Sequence, residues 1–494
     1  MLFGKKTIVA IGAALAAGSL AGCAMGGEGK EDNVKSTLKV MYYNEQSFYQ
    51  QYGMLFSALY PEVEVEVVST QDVNYEEGKD MQKAMEDFIA ERKPDVLMLS
   101  ADEYSRMAEE GKLQNLEAYI KKDKFDLEGI APGILEYIKQ QSGGVLYGLA
   151  PTFYSQALYY NKDLFAKHGV EFPEDRMSWE KVLQLAARFP TTGDKENRVY
   201  GLKAGYQTNL YYFGNSIGAS LGLTYIHPSS RKLMINSDSW KSVYEMAHKA
   251  MESGTLYMEN MDGSFTSNSY DDFLLRDPFI SGKVAMAIDG NYLMDQIKQK
   301  NESSTAKDKG VQNWDVVTVP VNPQNPEEST GMSIGQIFAI SANSANMDAA
   351  WNFISYVNGD EFARVTSKLQ NGGFPARTKY LSADGIHAEA FYSLKPMSNN
   401  MYKDFDKLPQ QFFVKFDGLA QQEFQSITDG KQSVSEALDS LQAKGQQLLD
   451  DEARNEGKSG DASDGAGASG ETGASTETAI VEEGETEAVA VPVQ

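Results

Sequence analysis

LKVMYYNEQSFYQQYGMLFSALYPEVEVEVV, residues 38–68, holds two strand patterns with a helix pattern between them. Residues 38–43 (LKVMYY) and 63–68 (VEVEVV) alternate with the period of two expected of a strand. Residues 48–60 read as the helix that crosses from one to the other. Strand, crossover helix and strand make a parallel pair, the unit of an α/β fold. Further along, a helix over 78–92 keeps Met81, Met85, Phe88 and Ile89 at helical spacing. Pro94-Asp95 then leads into the apolar strand 96–99, and a helix over 103–110 stops at Gly111. The alternation resumes downstream. Strand 157–160 leads into helix 162–167, Ser178 caps a helix starting at Trp179, and Ser237-Asp238 cap another running to Glu252. Residues 283–288 (KVAMAI), 314–319 and 335–340 read as strands. The remainder to about 453 is mostly helical, with 434–449 strongly periodic. This order predicts a parallel sheet covered on both faces.

More than four hundred residues remain between the two ends, more than one core normally serves, so two lobes are expected. The chain has 494 residues, a formal net charge of −25, and 26 tyrosines within an aromatic share of 11%. Such acidity argues against nucleic acid and against adhesion to anionic lipid by charge. Aromatic rings with a polar tip suit the faces of sugars.

The ends read differently from the body. Lys5 and Lys6 precede an apolar run over 7–18, and the chain's single cysteine follows in SLAGCAMGG, residues 19–27. One cysteine cannot form an internal disulfide, and a thiolate metal site lacks partners. Leu20-Ala21-Gly22-Cys23 resembles the bacterial lipobox, which implies cleavage before Cys23 and a lipid on its sulfur. Residues 1–22 are then a lipoprotein signal peptide and 23–36 a flexible tether. Residues 455–494 consist largely of Gly, Ala, Ser, Thr and Glu with no aromatic residue, and an acidic disordered tail is expected.

Several ordered segments carry a family likeness. They are Pro94-Asp95-Val96-Leu97-Met98 with 108–113 (AEEGKL), 156–165 (QALYYNKDLF) with Ser178-Trp179-Glu180, and 279–290 (FISGKVAMAIDG). Residues 349–354 (AAWNFI), 373–377 (GFPAR) and 433–438 (SVSEAL) complete the order. Together they resemble the extracellular solute-binding proteins of ABC transporters, in particular the carbohydrate-binding group typified by maltose-binding protein, over residues 37–453. The resemblance implies an α/β, periplasmic-binding-protein-like type II fold, in which two α/β lobes close on a ligand cleft by hinge bending. Discontinuous crossings are placed near 151–158, 283–288 and 341–345. The first lobe then holds 37–152 and 286–343, and the second 153–285 and 344–454.

Catalysis has no visible seat. The adjacent acids Asp102-Glu103 and Asp271-Asp272 point different ways along a chain and fit solvated surface better than a glycosidase pair. Residues 214–222 (GNSIGASLG) space glycines by four without the lysine of a phosphate loop, and the four histidines lack HExxH spacing. Residues 260–263 (NMDG) begin like a calcium loop but place glycine too early. No metal and no cofactor is expected.

Binding positions follow from topology and from the resemblance. Asn44 and Glu45 sit after the first strand, at the carboxyl end where open α/β folds take ligands. Asp102 follows strand 96–99 in the same way and matches a family position that often takes sugar hydroxyls, with Glu103 beside it. The chain departs from maltose-binding protein here, with Leu99 and Glu103 where that protein has Trp and Arg. Asn209, Tyr211 and Tyr212 match the family's aromatic ligand loop. Tyr292, close after Asp289, stands where the family often has a stacking tryptophan. Ser333 and Gln336 lie beside Gly331 and Gly335, where main chain can approach a ligand. Phe374 and Arg377 are expected to anchor structure, and Trp179 and Trp351 to lie in the core.

The expected protein is a monomeric, lipid-anchored substrate-binding component of an ABC importer on the extracytoplasmic face of the cell membrane, held through Cys23. It captures a sugar or oligosaccharide and delivers it to the membrane permease subunits, without enzymatic activity. Alternatives are a surface glycoside-active enzyme, or the same fold binding a non-sugar solute such as a peptide.

Overall fold

The computed structural model describes residues 36–463 apart from 75–80, 194–197, 206–208, 259–268, 369–372, 382–384 and 398–404. The expected signal peptide, Cys23, the 260–263 loop and the tail beyond 463 lie outside the described residues. Among the described residues two sheets have as their main strands β1 (Ser36–Tyr42), β2 (Val63–Ser69), β3 (Val96–Leu99), β4 (Gly148–Leu149), β5 (Thr152–Asn161), β6 (Tyr200–Ala204), β7 (Val284–Gly290), β8 (Trp314–Thr318) and β9 (Ile337–Ile340). The first runs β2-β1-β3-β9-β4 and the second β8-β5-β7-β6.

Within these two sheets the parallel strand pairs are β1 with β2 and β3, and β6 with β7. The fully parallel sheets expected from the sequence are therefore mixed. β9 enters the first sheet antiparallel to β3 and β4, and β5 enters the second antiparallel to β7 and β8. Both arrive from the other lobe, so the direction of the crossing rather than a local helix sets their polarity.

β5 joins the lobes. Its first residues pair with Phe374–Pro375 and then with Met332–Ser333, and only from Gln156 onward does it enter the second sheet. This corrects two expected crossings. Residues 283–288 are no crossing but the heart of β7, between β5 and β6 and buried along Val284–Asp289. An apolar run of this kind fits the middle of either sheet, and nothing local says which. The second passage lies instead between Ser333 and Ile337, and the third at Phe374–Pro375.

Packing gives the same result. The helices Met347–Val357 and Asp360–Thr366 belong to the first lobe, where buried Phe353 meets the rings of Phe48, Phe56 and Phe338 at 5.7, 5.2 and 5.6 Å. Phe362 stacks on Tyr52 at 5.5 Å. The helix Gln410–Thr428 and the long helix Val434–Ser463 return to the second lobe, where Phe424 lies 4.3 Å from Tyr244. The last helix runs to Ser463, so the tail expected from 455 begins helical. Adding residues to a nucleated helix costs far less than starting one.

Two motif residues have structural work. The Asp95 carboxylate, buried, accepts from the Lys39 amide at 2.9 Å, Ser344 Oγ at 2.7 Å and Asn346 Nδ2 at 3.2 Å, tying β1 to the turn after β9. Arg377 is buried and donates to the Asn358 carbonyl and to Asp126, each at 2.8 Å, which holds the chain just after its third passage. Trp179 and Trp351 are buried, donating to Ser220 Oγ at 2.8 Å and Asp123 Oδ2 at 2.6 Å.

The glycines spaced by four also find their reason. On the helix Leu210–Ser220, a Cβ at Gly214 would overlap the Tyr244 ring and one at Gly218 the Trp240 ring, so both are seats for the helix Asp238–Glu252. Overpacking of this kind costs about 1–3 kcal/mol, while alanine's helix propensity returns about 1. Gly218→Ala is expected to lower stability by up to about 2 kcal/mol, read as a drop in the chemical-denaturation midpoint at unchanged slope.

Among the described residues no helix is long and apolar enough to cross a membrane.

Candidate ligand cleft and aromatic cavity

The carboxyl ends of the parallel strands carry most of the expected binding residues. In the first lobe β1 ends beside exposed Tyr43, and Asn44 caps the following short helix by accepting from the Ser47 amide at 2.8 Å. Glu45 is exposed in that first turn. After β3, Ser100 and Glu103 form a capping box, the Glu103 carboxylate accepting from the Ser100 amide and hydroxyl at 2.8 Å each. Glu103 is thus engaged with its own helix, while Asp102 is exposed, near the Tyr137 phenol.

Gln336 borders the same edge, next to Ile337, which pairs with Leu99. Its carbonyl accepts from the Tyr52 hydroxyl at 3.0 Å, and Tyr42 donates to Gln51 at 2.7 Å. Burial raises both phenols. Tyr154 lies on the lobe-joining part of β5, is 47% exposed, and stands over the Gly335 backbone. Ser333 is exposed and pairs with Tyr154. The sequence reading missed Tyr154: it precedes the ALYYNKDLF segment and looks like ordinary strand pattern.

In the second lobe Asn209 caps the helix Leu210–Ser220, accepting from the Tyr212 amide at 3.1 Å. Asp289, expected at the ligand, is only 2% exposed and has its oxygens engaged. One accepts from Lys203 Nζ at 3.0 Å; the other accepts from the Gly290 amide and the Tyr292 hydroxyl. A buried carboxylate beside a lysine is held by that partner. Lys203 also meets Asp277 at 2.7 Å. Burial alone would lower the ammonium's pKa, but the Asp277 and Asp289 charges outweigh it and leave it raised. Asp289 therefore holds Tyr292, which is 37% exposed.

Tyr211 and Tyr212 line a cavity of ≈ 740 Å³ between the helices Leu210–Ser220 and Gln410–Thr428. Tyr225, Phe405, Phe413 and Phe416 supply further rings, and Asn215, Ser216, Gln410 and Asp417 the polar groups. Tyr225 and Phe416 stack at 5.7 Å, and Phe405 and Phe413 at 4.8 Å. The Tyr212 hydroxyl donates to Asp417 Oδ1 at 3.0 Å and accepts from Gln421 Nε2 at 3.0 Å. Burial and then Asp417 raise the Tyr212 phenol. Apolar walls with a few convergent polar groups are the usual make-up of a small-molecule site. The sequence reading found only its first two rings. Phe412, Phe413 and Phe416 stand at helical spacing, yet a core stripe looks the same.

Among the described residues no three His, Cys, Asp or Glu side chains are grouped so as to hold a metal ion.

Two α/β lobes threaded on one long strand define the type II periplasmic-binding-protein-like fold. The chain belongs to the bacterial extracellular solute-binding protein family, whose model matches residues 36–363. A Brucella abortus protein named only as a binding protein is 26% identical over 302 residues, 60% of this chain. The match spans 65% of that relative's length. Among solved structures, MalE, the sugar-binding protein of Xanthomonas citri, is 15% identical with a TM-score of 0.57, covering 87% of this chain and 100% of its own. A sugar transporter protein of Rhizobium etli in an open conformation is 20% identical with a TM-score of 0.56, covering 83% and 99%. At these identities the likeness is one of fold.

Proposed function

We propose that the protein captures a sugar or oligosaccharide between its lobes and hands it to the membrane permease of an ABC importer. The observation that carries this reading is the cavity, whose stacked rings fit the C–H faces of a sugar and whose Asn215, Gln410 and Asp417 fit its hydroxyls. Descriptions of the two solved proteins as sugar-binding and sugar-transporting support it. The ligand rests on Tyr211, Tyr212 and Tyr292 in the second lobe and is met by Asn44, Glu45 and Asp102 from the first, with Ser333, Gln336 and Tyr154 at the join. Asn209, Glu103 and Asp289 hold these side chains in place. Contacts from both lobes exist together only when the lobes close, so a ligand favours closure by its differential affinity. Lipid on Cys23 would keep the protein at the extracytoplasmic face of the membrane, two signals or more of acyl chain giving durable anchoring.

The test is a thermal-shift screen of the soluble chain against neutral oligosaccharides, with short peptides as controls. A ligand at a hundred times its dissociation constant contributes about 2.7 kcal/mol, a rise of about 5 °C or more for lobes of this size. Stabilisation by peptides and by no sugar would replace this reading with peptide capture, and product formation from an oligosaccharide would replace it with an enzyme.

A further inference from the structure

The charge of the cavity is as one-sided as its walls are apolar. Asp417 is its one acidic lining residue, and no lysine, arginine or histidine lines it among the described residues. The carboxylate is answered by two neutral donors: the Tyr212 hydroxyl, 3.0 Å from Oδ1 and 3.2 Å from Oδ2, and Gln421 Nε2, 2.5 Å from Oδ2. Two described lysines lie near it in sequence. Lys415, two residues before it, pairs with Glu452 at 2.7 Å, and Lys407 is exposed outside the lining. A carboxylate accepts at about four lone-pair positions, so acceptor capacity remains facing the cavity.

We infer that Asp417 is a specificity-determining residue that makes this site select by charge, admitting neutral and amino-bearing sugars and excluding those that carry a carboxylate or phosphate. The inference rests on the cavity being the sugar site. An anionic ligand brought against stacked rings loses its water and meets a like charge, with no cation among the described lining residues to answer it. A hydroxyl or ammonium donor in the same place gains a charge-assisted hydrogen bond. Coulomb repulsion at a few ångströms in a partly desolvated site is ample to separate otherwise identical sugars.

The test uses the soluble chain and matched trimers: cellotriose, its amino counterpart chitotriose and its glucuronate counterpart, with maltotriose and its terminal uronate as the α-linked series. Calorimetric titration is expected to show the uronates binding at least tenfold more weakly than the neutral trimer of the same linkage. Raising salt should narrow that gap, because screening weakens like-charge repulsion. Asp417→Asn should narrow it further and remove any preference for the amine. The salt series on the unaltered protein gives a reading even if the variant folds poorly. Uronates bound as tightly as their neutral partners, or a gap indifferent to salt and to Asp417→Asn, would overturn charge selection while leaving sugar capture standing. Failure of every trimer, neutral ones included, to bind would sink sugar capture at this site and the inference with it.

Discussion

Lys203→Met is expected to cost about 3–5 kcal/mol at neutral pH, the usual penalty for stranding buried charge. Lys203 is 3% exposed and lies between Asp277 at 2.7 Å and Asp289 at 3.0 Å. Its removal leaves two carboxylates facing a methionine. In the natural chain the ammonium's pKa is raised above its unfolded value of about 10.4, so its contribution is fully present below that pH. It is lost only as pH rises through the still higher folded value. The variant should behave differently on the acid side. A stranded carboxylate pair takes up a proton more readily folded than unfolded, so the variant should recover part of its loss as pH falls from 7 toward 5. Urea unfolding of both proteins at the two pH values measures this; an equal difference at both would show that the carboxylates do not repel. The same substitution frees Asp289 from the pair that orients it under Tyr292, so binding should weaken beyond what stability explains.

Phe353→Ala should cost about 3–5 kcal/mol, since a large ring is removed from a site that cannot collapse. Phe353 is fully buried, and its neighbours Phe48, Phe56 and Phe338 come from an early helix turn, the next helix and β9. The location of the loss is as informative as its size. Hydrogen exchange should quicken in β1 to β3 and β9 while the helices Asp238–Glu252 and Gln410–Thr428 keep their protection. Faster exchange in those helices would mean that residues 347–357 belong with the second lobe.

The strands of the first lobe were legible because alternation is written locally. VEVEVV pairs along its whole length with β1, from Ser36 and Val63 to Tyr42 and Ser69. Helix starts were legible for the same reason at Ser178 and Asn161, which each cap within their own turn, whereas the helix expected from 103 begins at Ala101, capped by Ser100. The destination of KVAMAI was not, because a run buried on both faces carries no orientation. Gly214 and Gly218 were seen but not understood, since the rings that fill them lie on another helix. The site divides in the same way. Residues just past a strand end could be placed by topology, whereas Phe413, Phe416 and Asp417 arrive from a helix two hundred residues away. No local pattern separates rings that line a cavity from rings that fill a core.

The three passages of the chain along β5 bear on how the molecule is made. Its first lobe lacks a wall until Phe353 and Phe362 are synthesised and a latch until Arg377 reaches Asp126. A nascent polypeptide must therefore carry the naked apolar side of its opening strands for most of its length before they can be covered. Secretion machinery that needs its cargo unfolded would find that delay useful.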